Sequence, residues 1–325
     1  MTEEQIKILA STLGVDRIMF DEPLKDHTYF KQKGKAGVYF EAKTSTDLES
    51  AVRVAILNNI PFGVLGLGSN TFLSSVDKFF IIKNTSHSIS VNGFRTSITS
   101  RQSRPEVLIK VDSGSALSML ARYCIHEGIS GLEFLLGIPG TVGPGLRNNV
   151  GVPPTIKNLL GYHLQMAEII DRKTGQKKLV SQAFFEFEYG KSFLQKSNDI
   201  LLAAVFKLVK TPNEDPWEKT SDFEIKGGEI ATGPVFKNIE YTDAVRLATR
   251  HLTLSPSSLI QEIASDGLKI NGVKVSNTNY NSFILNSDFE VEDVARMIRL
   301  IKREIRSKFK INLVTQLDMM KLSSK

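Results

Sequence analysis

Apolar residues recur at helical spacing at the start of the chain and give way to alternation soon after. In the opening TEEQIKILASTLG, Ile6, Ile8, Leu9 and Leu13 mark one helical face, and Glu3 and Glu4 sit in the first turn, where the helix dipole favours negative charge. AGVYFEAK, residues 36–43, alternates as a strand does. STDLESAVRVAILNNI opens on Ser45 and Thr46 as cap candidates and carries Leu48, Val52, Val54, Ala55 and Ile56 at helical spacing. PFGVLG then predicts a buried strand that runs into the glycine loop VLGLGSN, Val64 to Asn70. The opening section is thus a strand–helix–strand unit with a glycine loop at its end.

From Lys78 to about Val209 the pattern shifts to short strands: FFIIKN, SISVNGF, EVLIKVDSG, HLQMAEIID and DILLAAVFKLVK. Turn signals at Asn92-Gly93 and Gly175 separate them, and one helix, SALSMLARYCIHEG, interrupts them. Thr211 to Glu229, with its prolines, paired glycines and many charges, reads as a linker. Beyond it, VEDVARMIRLIKREIRSKFK places Val291, Val294, Met297, Ile298, Ile301, Ile305 and Phe309 on one helical face, with Lys and Arg at the far end. The fold class is α+β. The predicted division is residues 1–209, in subdomains of about 1–77 and 78–209, then residues 210–325, with a last strand returning to the first subdomain.

Composition narrows the class. The chain has 325 residues, 41% of them hydrophobic, as in an ordinary soluble globular protein. The single cysteine, Cys124, excludes an intrachain disulfide and sits in an apolar helical run, as a buried inert thiol would. No run approaches the ~20 apolar residues that span a bilayer. The acidic N-terminus lacks the basic and apolar regions of a signal peptide, so a cytoplasmic location is expected. The net charge of +6 is scattered rather than arranged in a stripe, which argues against nucleic acid and leaves room for an anionic small molecule.

The densest chemical signal is GLEFLLGIPGTVGPGLRNNVG, Gly131 to Gly151, with six glycines and two prolines. Such a backbone turns sharply and approaches a ligand closely, and its converging N–H groups make a concave anion site. Together with the loop from Val64 to Asn70 it suggests a ligand with a pyrophosphate. Neither run fits G-x-G-x-x-G or the P-loop pattern, so a dinucleotide here would sit on another fold.

These runs resemble the two flavin-binding loops of the MurB family, the UDP-N-acetylenolpyruvoylglucosamine reductases. DHTYFKQKGKAG, FEYGKSFL, GPVFKNI, LIQEIASDGLKINGVKVS and FILN look like that family's further motifs, in the same order and over nearly the whole chain. The resemblance implies an FAD-binding fold of the vanillyl-alcohol-oxidase (PCMH) type in two subdomains, with a MurB-like substrate-binding α+β domain after it. By the family pattern Gly66, Gly68, Ser69 and Asn70 contact the FAD pyrophosphate region. Gly137, Ile138, Pro139, Gly140, Thr141 and Gly143 line the flavin and phosphates, and Asn149 and Gly151 complete the loop. Tyr189, Lys237 and Asn238 fall at substrate-binding positions. In the family NADPH reduces FAD, and hydride passes to the enolpyruvyl double bond of a nucleotide sugar in peptidoglycan precursor synthesis. A serine protonates the adjacent carbon, while an arginine and a glutamate stabilise the charge between. The implied partner is that small molecule, with no metal, no membrane and a monomeric chain.

The catalytic positions depart from the pattern. The arginine is Gly190, the serine is Pro234, the glutamate is Gln316, and the second glycine after Gly140-Thr141-Val142 is Pro144. Proline has neither hydroxyl nor N–H, glycine has no charge, and glutamine is no acid; losing one well-placed acid costs ~10²–10⁴ in rate. Lys191 and Thr232 are the local candidates to substitute, although alternation turns Lys191 away from the position of Gly190. Two readings follow: an active MurB-type reductase, or a flavin-binding relative with a regulatory role or a different substrate.

Overall fold

The computed structural model describes residues 1–74, 76–95, 105–152, 155–211, 230–247, 253–264 and 267–321. The stretch read as a linker lies outside these residues apart from Thr211. The first layer holds α1 (Glu3–Leu13), β1 (Ile18–Pro23), β2 (Lys35–Ala42), α2 (Ser45–Leu57), β3 (Phe62–Leu65), β4 (Thr71–Ser74) and β5 (Phe80–Asn84). Both helices start at capping boxes, Thr2 with Gln5 and Thr44 with Asp47. The second cap is therefore Thr44, ahead of the Ser45 and Thr46 expected from sequence, because the Thr44 hydroxyl is the one that accepts the Asp47 N–H. The sheet runs in the order β1-β2-β5-β3, with β5 parallel to both β2 and β3. Phe80–Asn84 thus belongs to the first sheet and not to the antiparallel section that its position in sequence suggested. All five of its residues are buried, and a strand covered on both faces shows no alternation by which to place it. Phe40, Phe62, Phe80 and Ile82 pack on Leu48 and Val52 of α2.

The second layer is an antiparallel sheet. It contains β6 (Ile89–Arg95), β7 (Glu106–Asp112), β8 (Ile129–Ser130), β9 (Leu164–Ile170), β10 (Lys177–Ser181) and β11 (Ile200–Lys210), in the order β10-β9-β11-β7-β6 with β8 paired on β11. The helix α3 (Leu117–His126) and the short α4 (Val142–Arg147) and α5 (Leu194–Ser197) accompany it. Leu117, Leu120, Ala121 and Cys124 of α3 are buried in its core, and burial pushes the Cys124 thiol up to about 12, an inert group.

The third section holds β12 (Ile230–Pro234), α6 (Tyr241–Arg246), α7 (Ser257–Ala264), β13 (Lys269–Ile270), β14 (Val273–Val275), β15 (Ser282–Leu285), α8 (Val291–Phe309) and β16 (Asp318–Lys321). Val294, Met297, Ile298, Ile301 and Ile305 of α8 are buried against this section's sheet, as the spacing predicts, and Val291 and Phe309 pack at the margins. Lys310 ends the helix in the left-handed conformation at φ 61°. Phe30 and Phe72 of the first section belong to the same buried cluster, stacked at 4.4 Å between ring centres. The chain then returns: β16 pairs in parallel with β4, Asp318 opposite Thr71. No helix among the described residues is long and apolar enough to cross a membrane.

Candidate functional site

The two glycine loops meet face to face. β3 ends at Leu65, and the chain turns through Gly66 to Asn70 before β4 begins. A Cβ on Gly66 would lie 2.4 Å from the Thr141 hydroxyl, and one on Gly140 would lie 3.5 Å from the Ser69 hydroxyl. Gly68 sits at φ +65°, and a Cβ there would lie 3.1 Å from the Thr28 Cα, so the Asp26–Thr28 segment forms the floor of the first loop. Only glycine permits both the turn and these approaches.

Backbone donors show what the loops offer. Among the described residues the N–H groups of Gly68, Ser69, Asn70, Gly137, Gly140 and Thr141 have no acceptor. The N–H of Gly143 is spent on the Ser113 carbonyl at 2.8 Å, and that of Val142 on the Ser115 carbonyl, so these two anchor the second loop and offer nothing to a ligand. The hydroxyls of Ser115 and Thr141 are buried without a partner. Orphaned buried hydroxyls and unspent amides beside a cleft narrowed to glycine width fit a pyrophosphate, which brings acceptor oxygens and charge to such a nest.

Lys83 of β5 completes the floor. Its ammonium donates to the Gly66 and His27 carbonyls, each at 2.7 Å, and burial pulls its pKa down to about 8. The His27 ring lies between Tyr39 (2.9 Å) and Glu22 (2.8 Å).

Asn149 and Gly151 hold the second loop rather than face the cleft. The Asn149 amide donates to the Glu188 carbonyl and accepts the Gly161 N–H, while a Cβ on Gly151 would fall 1.8 Å from the Asn158 carbonyl. Through Glu188 the loop carries the turn Glu188–Lys191, closed by reciprocal backbone bonds, with Tyr189 half exposed and Gly190 at φ +67°. Ser192 and Gln195 anchor the turn to the end of α4, both donating to the Arg147 carbonyl, and Gln195 also donates to the Gly190 carbonyl.

The third section supplies the opposite wall. Val235 accepts the Gln316 N–H at 2.8 Å, Lys237 donates its N–H to Val314, and the Lys237 ammonium reaches the Gly190 carbonyl at 2.6 Å. Asn70 of the first loop donates to the Gln316 carbonyl and accepts the Asp318 N–H. The three positions Gly190, Pro234 and Gln316, distant in sequence, therefore stand around one cleft. Pro234 and Asn238 are exposed at its edge.

The two expected substitutes fall differently. The Thr232 hydroxyl is buried, donates to the Gly233 carbonyl and accepts the Phe283 N–H, so it serves the sheet and not the cleft. Lys191 is exposed and paired with Glu188 at 3.0 Å. Sequence reasoning passed over Lys83, Arg147 and Asp318. Arg147 was detectable as a charge inside the glycine run, and Asp318 as a carboxylate two residues past Gln316.

Two family models match the chain: the FAD binding domain over residues 36–177, and the C-terminal domain of UDP-N-acetylenolpyruvoylglucosamine reductase over residues 228–320. The chain is 27% identical to UDP-N-acetylenolpyruvoylglucosamine reductase 2 of Bacillus cereus (strain ATCC 10987 / NRS 248) over 312 residues, 96% of this chain and 95% of the relative. It is 26% identical to the reductase of Petrotoga mobilis over 334 residues, 99% and 100% of the two chains. In fold it is similar to the crystal structure of UDP-N-acetylenolpyruvylglucosamine reductase from Thermus caldophilus, with a TM-score of 0.64 at 22% identity over 94% of this chain and 98% of that one. The α+β, FAD-binding fold expected from sequence is the fold observed.

Proposed function

This chain belongs to the MurB family, and we propose from that premise that it is an NADPH-dependent flavoenzyme that reduces an enolpyruvyl nucleotide sugar to its lactyl ether, in the cytoplasm and as a monomer. The observation that carries the reading is the meeting of the two glycine loops, with unspent amides at Gly68 to Asn70 and at Gly140 and Thr141, beside a wall built from the third section. FAD held there would supply two-electron hydride chemistry between a nicotinamide donor and a carbon of the substrate. Gly66, Gly68, Ser69, Asn70, Gly140 and Thr141 would hold its pyrophosphate, and Gly137, Ile138 and Pro139 would border the ring system.

The remaining work belongs to this chain's side chains. Lys237 stands where its ammonium can hold a substrate carboxylate without leaving the Gly190 carbonyl, since an ammonium has three donors. Asn238 and Tyr189 border the same cleft. The turn at Gly190 and the segment after Val235 stand on two sides of it, joined by the bond from the Lys237 ammonium to the Gly190 carbonyl.

The test is direct. The purified protein should show a flavin spectrum that bleaches when NADPH is added without oxygen, and the colour should return on addition of the enolpyruvyl UDP-sugar. A bound flavin that neither NADPH nor the sugar affects would overturn the catalytic reading in favour of a binding protein.

A further inference from the structure

The family's acid and its carboxylate are gone from Pro234 and Gln316, yet the cleft holds an unassigned carboxyl. Met319 packs against the buried core of the third section, so by alternation within β16 Asp318 faces away from that core, on a strand that starts beside the first glycine loop. The backbone pins that placement: the Asp318 N–H donates to the Asn70 carbonyl at 2.8 Å, and Asp318 lies opposite Thr71 in the parallel pair. Asp318 is half-buried and has no side-chain hydrogen bond or ion pair among the described residues. Across from it stands Arg147, from the second glycine loop, its guanidinium held by the Leu194 carbonyl and by Asn198. Burial raises the Asp318 carboxyl and the charge of Arg147 works the other way, while burial lowers the Arg147 guanidinium and Asp318 works against that.

We propose that Asp318 is the proton donor of this site, with Arg147 as the cation beside it. This rests on the function proposed above. In the step, the Asp318 O–H bond breaks and its proton goes to the substrate carbon that bears the carboxylate. The electron pair comes from the carbon–carbon double bond, whose other carbon would take the hydride that a bound reduced flavin would supply. Asp318 is left as carboxylate, stabilised by Arg147, and regains a proton from solvent. The other groups near the cleft fit this role less well. Glu188 is exposed, and its Lys191 partner holds it below the usual carboxylate range, so it is a spent acid at neutral pH. Burial pushes the Tyr189 phenol up, which makes it a weaker acid than usual. For Asp318 burial raises the carboxyl by more than Arg147 lowers it, the direction that a proton donor needs.

The experiment compares the flavin-loaded protein with Asp318→Asn and Asp318→Glu in turnover of the enolpyruvyl UDP-sugar across pH. The flavin spectrum confirms that each variant is loaded. Asp318→Asn should lower kcat by ~10²–10⁴ and abolish the fall of kcat toward alkaline pH, whereas Asp318→Glu should keep that limb. A second readout needs no flavin. The folded wild-type apoprotein should lose melting temperature as pH rises past the ordinary carboxylate range, because its buried carboxyl must then ionise, and Asp318→Asn should not. A wild type that turns over while Asp318→Asn matches its kcat and pH profile, or apoprotein melting curves that fall in parallel, overturns the proposal alone. A flavin-loaded wild type with no turnover overturns both it and the function on which it rests.

Discussion

The ammonium of Lys237 donates to the carbonyl oxygen of Gly190 at 2.6 Å, across the cleft between the antiparallel layer and the third section. A Cβ on Gly190 would lie 3.4 Å from that same ammonium. The lysine thus fills the space beside Gly190, and the glycine is what leaves it room. Burial and the charge of Lys191 lower the Lys237 pKa, the mark of a cation held partly out of water.

Restoring the arginine should therefore harm the protein. Gly190 is at φ +67°, a conformation that costs a residue with a Cβ about 1–2 kcal/mol. The new side chain would also displace Lys237. Gly190→Arg should lose about that much stability in chemical denaturation, and kcat should not rise. Equal stability with higher kcat would show that the turn relaxes and that Lys237 is no replacement.

The contact between the two flavin loops can be tested as a pair. A Cβ on Gly66 would lie 2.4 Å from the Thr141 hydroxyl, whereas its next neighbour, Pro144, is 3.4 Å away. Gly66→Ala should lower the melting temperature and abolish flavin retention. Thr141→Ala removes the clashing oxygen, so the double variant should recover melting temperature relative to Gly66→Ala, a coupling of about 0.5–3 kcal/mol. Strictly additive losses would mean that the loops are further apart in solution.

Much of this was legible in the sequence, and the gaps have physical causes. α8 is legible because one face of a long helix repeats Val294, Met297, Ile301 and Ile305 against a solvated face. The two glycine loops are legible because close approach selects glycine at Gly66 and a positive φ selects it at Gly140. β5 was assigned to the wrong sheet because a fully buried strand carries no alternation, and its parallel partners lie far away in sequence. Gly143 and Gly151 look like ligand glycines, but in the structure they serve packing: glycine is needed wherever two backbones meet, whether or not a ligand is near. Thr232 looked like a spare hydroxyl because sequence does not show that it is already bonded to Phe283 and Gly233. Asp318 was missed because its meaning depends on Asn70, which only the return of β16 to β4 brings beside it.

Lys83 sets a pH dependence with a definite sign. Its pKa falls from an ordinary 10.5 to about 8 through burial, with Glu41 opposing. Between those two values the unfolded chain binds more protons than the folded one, so stability rises with pH across that window. Below it the folded protein bears the full cost of the buried charge, on the order of 3 kcal/mol. In Lys83→Met that rise should vanish. Flavin affinity should also weaken roughly ten- to hundred-fold, since the cation beneath the first loop and its bond to the Gly66 carbonyl are lost. Denaturation at several pH values and a fluorescence titration with FAD measure the two effects. A variant that keeps the wild-type slope would place the titration on another group.

Gln316→Glu places a carboxylate two residues before Asp318. Residues two apart in extended chain lie about 7 Å apart, and at a partly solvated site two negative charges at that distance repel by less than about 1 kcal/mol. A second carboxylate disfavours the charged form of the first, so it raises the Asp318 pKa further, in the direction in which burial already moves it. If Asp318 acts in its protonated form, activity persists below its pKa and declines as pH rises through it. The alkaline limb of kcat in Gln316→Glu should therefore move to higher pH, by about half a unit. Gln316 is exposed, so added salt should shrink the displacement by screening. A limb that stays in place, or moves to lower pH, would mean that the group titrating in that limb is not beside position 316.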